Sequence, residues 1–425
     1  MIGKLSLLSL AIVGASFSAQ AQVAVKPENG YALGQKVPLP EPYSTDSTRR
    51  ETKVVGWSKG KKPTVPDGFE VKEFAGDLQH PRWIYILPNE DVLVAESNDS
   101  DSNSANRITL FRDKDKDGVA DERHVFLENL NQPFGMALIE ENAFYVANTD
   151  SIMRFPYKKG IDSIGTKGEV IHKLPAGGYN HHWTRNIEVN DSGDKLLLTV
   201  GSSSNVGEYG IEKEARRAKI FTLDLEGNNE EVYASGVRNP NGLDYNPVTG
   251  ELWAAVNERD ELGDNLVPDY VTSIKKGGFY GWPYKYFGEH ADPRWQDRMP
   301  EDLPKETIVP DIAVGNHTAT MDLEFYKGEA FPEKYHNGLF AAQHGSWNRA
   351  KYNGYRVIFM PFKDGKPTGE IEEFMGGFLK SMKNDEAYGR PVAVRETPSG
   401  MLLISDDSGN KIWSVQATSK NSSSD

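Results

Sequence analysis

From Phe69 onward the chain keeps restating one unit, and that repetition restricts the fold more than any other feature. Each unit is an apolar strand opening near a Pro or Gly, a polar turn, and a second apolar strand ending in small residues. Pro81–Leu87 with Val92–Ala95 is the first copy, followed by Pro133–Ile139 with Phe144–Ala147 and Arg185–Val189 with Leu196–Val200. Pro240–Tyr245 pairs with Leu252–Val256, Met321–Phe325 with Leu339–Ala342, and Pro391–Val394 with Met401–Ile404. Ile84, Met136, Ile187, Leu243, Leu323 and Val394 are the apolar anchors of the six copies. A third strand follows at Ile108–Phe111, Ile152–Phe155, Ile220–Leu223, Tyr355–Phe359 and Ile412–Val415, and an outer strand is expected before the unit, as at Phe69–Phe74, His124–Leu127 and Val232–Ala234. Four strands repeated every ~40–55 residues are the pattern of propeller blades. A parallel β-helix repeats faster, sandwiches lack this regularity, and no amphipathic helix of useful length interrupts the series. The repeat predicts an all-β fold, a six-bladed β-propeller of four-stranded antiparallel blades, over residues 67–416.

The ends read differently. Lys4, the apolar run Leu5–Phe17 and the small-x-small site at Ala19–Ala21 predict a signal peptide over residues 1–21, hence a periplasmic or secreted protein. No later run approaches the ~20 apolar residues that a membrane span needs. Residues 22–66 read as an extended lead-in and 417–425 as a disordered tail. There is no cysteine, so an exported chain must stand on its core without disulfides, thiolate metal sites or an attached haem. A net charge of −14 argues against nucleic-acid or anionic-membrane partners.

In a propeller the residues just before each inner strand converge on one mouth of the central channel. Those positions carry Arg82, His181 and His182, Arg238 and Asn239, and Tyr388 and Arg390, while His344 and Arg349 follow an inner or next-inner strand. Four arginines around one channel in an acidic protein would repel one another unless each pairs with a local acid or an anion lies among them. The spacing favours an anionic or carboxylated ligand. A histidine of near-neutral pKa at such a mouth is a candidate general base, and His182, with His181 as its rival, sits there.

Asp113–Glu122 matches the first half of an EF-hand loop, with acids at positions one, three and five and Gly at six, but His124 stands where the bidentate Glu belongs. It reads as a hairpin tip, either a weak Ca²⁺ holder or a solvated acidic turn. The chain lacks a His-Glu-x-x-His pair, a Walker loop and a dinucleotide fingerprint.

Arg238-Asn-Pro-Asn-Gly-Leu243, Val256-Asn-Glu-Arg-Asp-Glu-Leu-Gly-Asp264, Gly277-Gly-Phe-Tyr-Gly-Trp-Pro283 and His344-Gly-Ser-Trp-Asn-Arg349 together resemble the sorbosone/pyranose dehydrogenase family. That family is related to the soluble glucose dehydrogenases, six-bladed propellers that carry pyrroloquinoline quinone (PQQ) and Ca²⁺. The resemblance runs from about Phe69 to Val415. It implies that His182 is the base taking the substrate hydroxyl proton and that Arg238 and Asn239 lie against the quinone. It implies that Arg390 meets a quinone carboxylate, and that backbone carbonyls near Glu258 and Arg259 hold the Ca²⁺. Arg82, His344 and Arg349 are the remaining cofactor-binding candidates. The expected reaction oxidises a sugar, sugar aldehyde or related polyol to a lactone or acid and passes electrons to a separate acceptor, a cytochrome or a quinone. Two other readings stay open: a cofactor-free binding module, and a metal-dependent lactonase, which would need acids and amides aimed into the channel where this mouth is mostly cationic.

Overall fold

The computed structural model describes residues 29–99 and 103–418. Six antiparallel sheets of four or five strands follow one another along the chain. Sheet I comprises Pro81–Ile86, Val92–Glu96, Arg107–Arg112 and Glu122–Leu127, and sheet II comprises Met136–Ile139, Ala143–Ala147, Ser151–Pro156 and Glu169–Lys173. Sheet III is built from Arg185–Val189, Lys195–Val200, Lys219–Asp224 and Glu231–Ser235, with Gly278–Phe279 added in parallel at its edge. Sheet IV contains Asn239–Tyr245, Leu252–Asn257, Pro268–Ser273 and Ile312–Asn316, with Tyr31–Leu33 on the outside. Thr320–Phe325, Leu339–Gln343, Arg356–Met360 and Glu372–Met375 form sheet V; Pro391–Glu396, Leu402–Asp406, Lys411–Ala417 and Phe69–Ala75 form sheet VI. Each of the six predicted anchors falls on the first strand of a separate sheet.

The strand chemistry is that of sheets buried on both faces: runs such as Val92-Leu-Val-Ala and Leu402-Leu-Ile are wholly buried. Consecutive sheets share cores. Trp83 and Ile84 of sheet I pack with Phe134, Met136 and Phe144 beside sheet II, and the Trp83 and Phe134 rings lie 4.6 Å apart. Sheets V and VI enclose an aromatic cluster of Tyr326, Phe331, Tyr335, Phe340, Phe359, Phe374 and Trp413. The first strands pack side by side: sheet II on III, III on IV, IV on V, V on VI and VI on I. Between sheets I and II the Tyr85 hydroxyl reaches the Leu138 amide at 3.0 Å.

Two expectations need correction. The strands at 122–127 and 231–235 close sheets I and III instead of opening the next units, because each loops back onto the third strand of its own sheet. Phe69–Ala75 pairs with the C-terminal Lys411–Ala417, so the two ends of the repeat region share one sheet, and Ala417, placed in the tail, belongs to that strand. Sheet IV also has a third strand, Pro268–Ser273, which its leading Pro and its polar Asp269 and Thr272 hide from an apolar scan. Residues 1–21, expected to be a signal peptide, and residues 419–425 lie outside the described residues.

From residue 29 the lead-in runs across the outside of sheets IV to VI. Tyr43 donates its amide to Leu262 O, Lys53–Val54 pairs in parallel with Glu386–Ala387, and the Trp57 indole donates to Asp406 at 2.6 Å. Among the described residues no helix is long and apolar enough to cross a membrane.

Candidate active site

The starts of the first strands surround a cleft of about 270 Å³. Four of these strands carry a register shift at that end, at Pro81/Trp83, Pro240/Leu243, Thr320/Asp322 and Pro391/Val394. A bulge bends the strand and re-aims its side chains, and a Pro, which cannot donate to the ladder, is at home in one. The cleft wall includes Arg82, His181, His182, Arg238, Asn239, Glu258, His344 and Arg390, so most of the predicted site residues do meet. Arg349 and Arg259 are not among the lining residues.

His182 is 8% exposed. Its Nδ1 lies 2.9 Å from both the carbonyl and the hydroxyl oxygen of Ser202, and that hydroxyl gives its own proton to Ser204 O at 2.6 Å. Both neighbours of Nδ1 must therefore accept, which puts the ring proton on Nδ1 and leaves Nε2 with a lone pair and no hydrogen bond. Burial, the Arg238 charge and His181 hold the imidazole well below the usual histidine pKa. The imidazole is therefore neutral at neutral pH, with Nε2 able to accept a proton. His181 is also pushed down, by burial and then by Arg238.

Arg238 is 2% exposed and fully engaged. It donates to Asn205 O (3.0 Å), Glu258 O (2.7 Å), Asn257 O (3.5 Å), Asn205 Oδ1 (3.0 Å) and Asp260 Oδ2 (3.2 Å). It stands as a fixed positive charge with no donor left for a ligand. Asp260 also faces His317 Nδ1 at 3.3 Å and accepts from Asn348. Burial would raise its pKa, but Arg238 and His317 outweigh that and hold it at about 2. Arg82 meets Asp407 at 2.6 Å and lies over the Trp183 ring. His344 Nε2 sits 2.9 and 3.0 Å from the two Asp407 oxygens. Burial and then Arg390 lower the His344 pKa to about 4.

Arg82 and Arg238 thus pair with local acids. Arg390 differs: Nε and Nη2 donate to the backbone oxygens of His344 and Gly345, and no carboxylate pairs with it among the described residues. Arg349 is buried away from the cleft, donating to Asp264 O, Asn265 and Asn29. Arg259 is fully buried in ion pairs with Glu258 (2.8 Å) and Asp292 (3.2 Å), so its side chain is no metal ligand. The Glu258 carbonyl already accepts from Arg238, while its Oε1 and the Asn239 Oδ1 are buried without any partner. Glu258, Asn239 and Arg390 all line the cleft. Its wall therefore carries oxygen donors of the kind a hard cation takes beside a guanidinium that an anion could meet, although Asn239 Oδ1 is packed toward Gly201.

Sequence reasoning overlooked Ser202, Asp260, Asp269, His317, Trp347, Asn348 and Asp407. Asp260 stood inside the quoted Val256–Asp264 motif, whereas Ser202 and Asp407 act through neighbours distant in sequence and left no local signal.

The TrAA12-like family model matches residues 63–275 and 293–418. The chain belongs to the TrAA12-like family. An uncharacterized protein of Borreliella burgdorferi is 30% identical over 83% of this chain and 90% of its own length. The pyrroloquinoline quinone-dependent pyranose dehydrogenase of Coprinopsis cinerea is 21% identical over 84% of the chain, which spans 54% of that protein. Among solved structures, the holo PQQ domain of that pyranose dehydrogenase has a TM-score of 0.68 at 18% identity, covering 85% of this chain and 98% of the domain. The calcium structure of a Trichoderma reesei carbohydrate-active enzyme of family AA12 gives 0.69 at 16% identity, covering 87% and 99%. This TrAA12-like chain shares their fold.

Proposed function

We propose that the protein is an exported PQQ- and calcium-dependent dehydrogenase that oxidises a sugar or sugar aldehyde, with its six sheets as the blades of a closed propeller. The observation that carries this reading is His182: a buried, neutral imidazole whose unbonded Nε2 belongs to a cleft that also holds an unpaired cation. The TrAA12-like match and the likeness to the Coprinopsis and Trichoderma proteins support it. Arg390, with Arg82 behind its Asp407 partner, would hold the carboxylates of the quinone, while Glu258 and Asn239 would offer oxygens to Ca²⁺. When bound, the quinone supplies a two-electron acceptor and the calcium ion a Lewis acid. His182 takes the hydroxyl proton of a hemiacetal or hydrated aldehyde at Nε2, Ser202 keeps the ring in the tautomer that can do so, and the fixed charge of Arg238 favours negative charge developing in the cleft. The product is a lactone or acid, and a separate acceptor removes the electrons.

Three acids, Glu258, Asp260 and Asp269, do reach the cleft, more than the sequence led us to expect, and a metal-dependent lactonase would use such groups. They do not converge: among the described residues only Asp113, Asp115 and Asp117 bring three such ligand atoms together, at the hairpin tip of sheet I. Reconstitution tests the dehydrogenase reading. Apoprotein mixed with PQQ and CaCl₂ should show a bound-quinone absorbance, a raised Tm and dye reduction with aldoses. Absence of both the spectral change and the calcium-dependent stabilisation would overturn it.

A further inference from the structure

Nearly all phenylalanine, tyrosine and tryptophan side chains among the described residues are buried or partly buried. Three of these rings stand out in solvent: Tyr43 at 57%, Tyr179 at 50% and Tyr209 at 52% exposure. All are tyrosines, and all belong to segments at the cleft. Tyr179 precedes the cleft-lining His181 and His182. Tyr209 ends the loop whose Asn205 binds Arg238 and the Asp260 carbonyl. Tyr43 is hydrogen-bonded to Leu262, two residues beyond Asp260.

Tyr179 and Tyr209 continue a row of rings that begins inside the cleft. His182 and His181 lie 4.7 Å apart, His181 and Tyr179 stack at 5.8 Å with 14° between their planes, and Tyr179 meets Tyr209 edge-on at 4.9 Å. The row is built on rigid support. Ser203 ties its two middle members, accepting from the His181 amide and donating to Tyr179 O. Glu214 binds the Ser203 and Ser204 amides, and the buried indoles of Trp282 and Trp295 donate to Asn205 O and Val206 O at 2.9 and 2.8 Å. Holding rings in place before a ligand arrives lowers the ordering cost of binding.

A tyrosine offers an apolar face and a polar edge, which suits a pyranose ring with its C–H face and flanking hydroxyls. Two rings are far too small for a protein partner, which needs about 800 Å² on each side. We propose that Tyr179 and Tyr209 form a subsite for sugar units beyond the one oxidised in the cleft, so that the substrate is the reducing end of an oligosaccharide. The proposal rests on the sugar-oxidising reading.

The test measures binding to the reconstituted protein of C1-methylated glucose trisaccharides, α-1,4- and β-1,4-linked, beside methyl glucoside; none of these can be oxidised at C1. One trisaccharide should bind about tenfold more tightly than the monosaccharide. Tyr179→Ala with Tyr209→Ala should abolish that advantage, while Tyr179→Phe with Tyr209→Phe keeps most of it, and KM for the free trisaccharide should rise in parallel. Equal affinities for mono- and trisaccharide, or a double alanine variant whose trisaccharide affinity is unchanged, overturns the proposal. So does a variant in which only the KM for the electron-accepting dye moves, which would make the tyrosines an acceptor contact. If the capped trisaccharide binds through the tyrosines but quinone-dependent oxidation fails, the subsite stands and the dehydrogenase reading falls.

Discussion

Where Thr320–Phe325 begins, its neighbours line the cleft; where it stops, Glu324 lies 3.3 Å from Arg395. At that second end Arg395 also meets Asp322 at 2.6 Å and covers the Trp83 ring at 4.4 Å, while Lys327 meets Asp244 at 2.8 Å. Asp244 further accepts the Phe325 amide, and Glu396 the Lys327 amide. Charges from sheets IV, V and VI close on one another there. At the cleft end, by contrast, Glu258 Oε1 and Asn239 Oδ1 are buried without a partner. Among the described residues His182 Nε2 takes part in no hydrogen bond and Arg390 meets no carboxylate. The same strands therefore tie the sheets together at one end and keep their bonding capacity for a ligand at the other, a division typical of sites that sacrifice local satisfaction for function.

The largest difference should appear in turnover. His182→Ala removes the base and should lower kcat of the reconstituted protein by about 10²–10⁴-fold, whereas Glu324→Gln at the far end should leave kcat within about twofold. Dye-coupled rates with an aldose measure both. Comparable losses would mean that the two ends are not functionally distinct, and a His182→Ala variant with substantial residual turnover would pass the role to His181 or His344.

The repeat was legible because each unit buries both faces of its strands, so an apolar run followed by a polar turn survives as a pattern in sequence. Which sheet an outer strand joins was not, since His124–Leu127 reads alike whether it ends one unit or opens the next. In the site, Arg82, His182, Arg238 and Arg390 were found from their place before inner strands. Their partners were not: Asp407 reaches Arg82 across 325 positions of sequence, and nothing local in Arg349 shows that it turns away from the cleft. Convergence follows from periodicity, but pairing depends on side-chain directions that bulges at the strand starts redirect.

Stability should divide the other way. At pH 9 burial no longer keeps Asp322 and Glu324 protonated, since it pushes them up to about 7 and about 8. Arg395→Leu there leaves both without their buried cation and should cost about 3–5 kcal/mol. Arg390→Leu removes two donations to backbone carbonyls and the contact with the Tyr355 ring, and should cost about 1–2 kcal/mol. Urea unfolding of the two variants beside the parent reads the contrast, which disappears if both midpoints move equally.

The smallest effect concerns single groups, one set at each end, that should limit stability at opposite sides of the pH scale. Burial and the nearby Asp244 push Glu324 up to about 8 and Glu188 up to about 7. The folded chain keeps these protons where the unfolded carboxyls have lost them, so their contribution is complete below the unfolded value of about 4.3 and is lost as pH rises through 7 to 8. His182 works in reverse. Its folded pKa is depressed, so stability present above the unfolded value of about 6.5 is lost as pH falls below it. Tm should therefore decline by a few degrees on each side, with Glu324→Gln flattening the alkaline limb only and His182→Gln the acid limb only. A thermal-unfolding series from pH 5 to 9 on the three proteins decides it: if one substitution flattens both limbs, or neither moves its own, the two ends are not electrostatically independent.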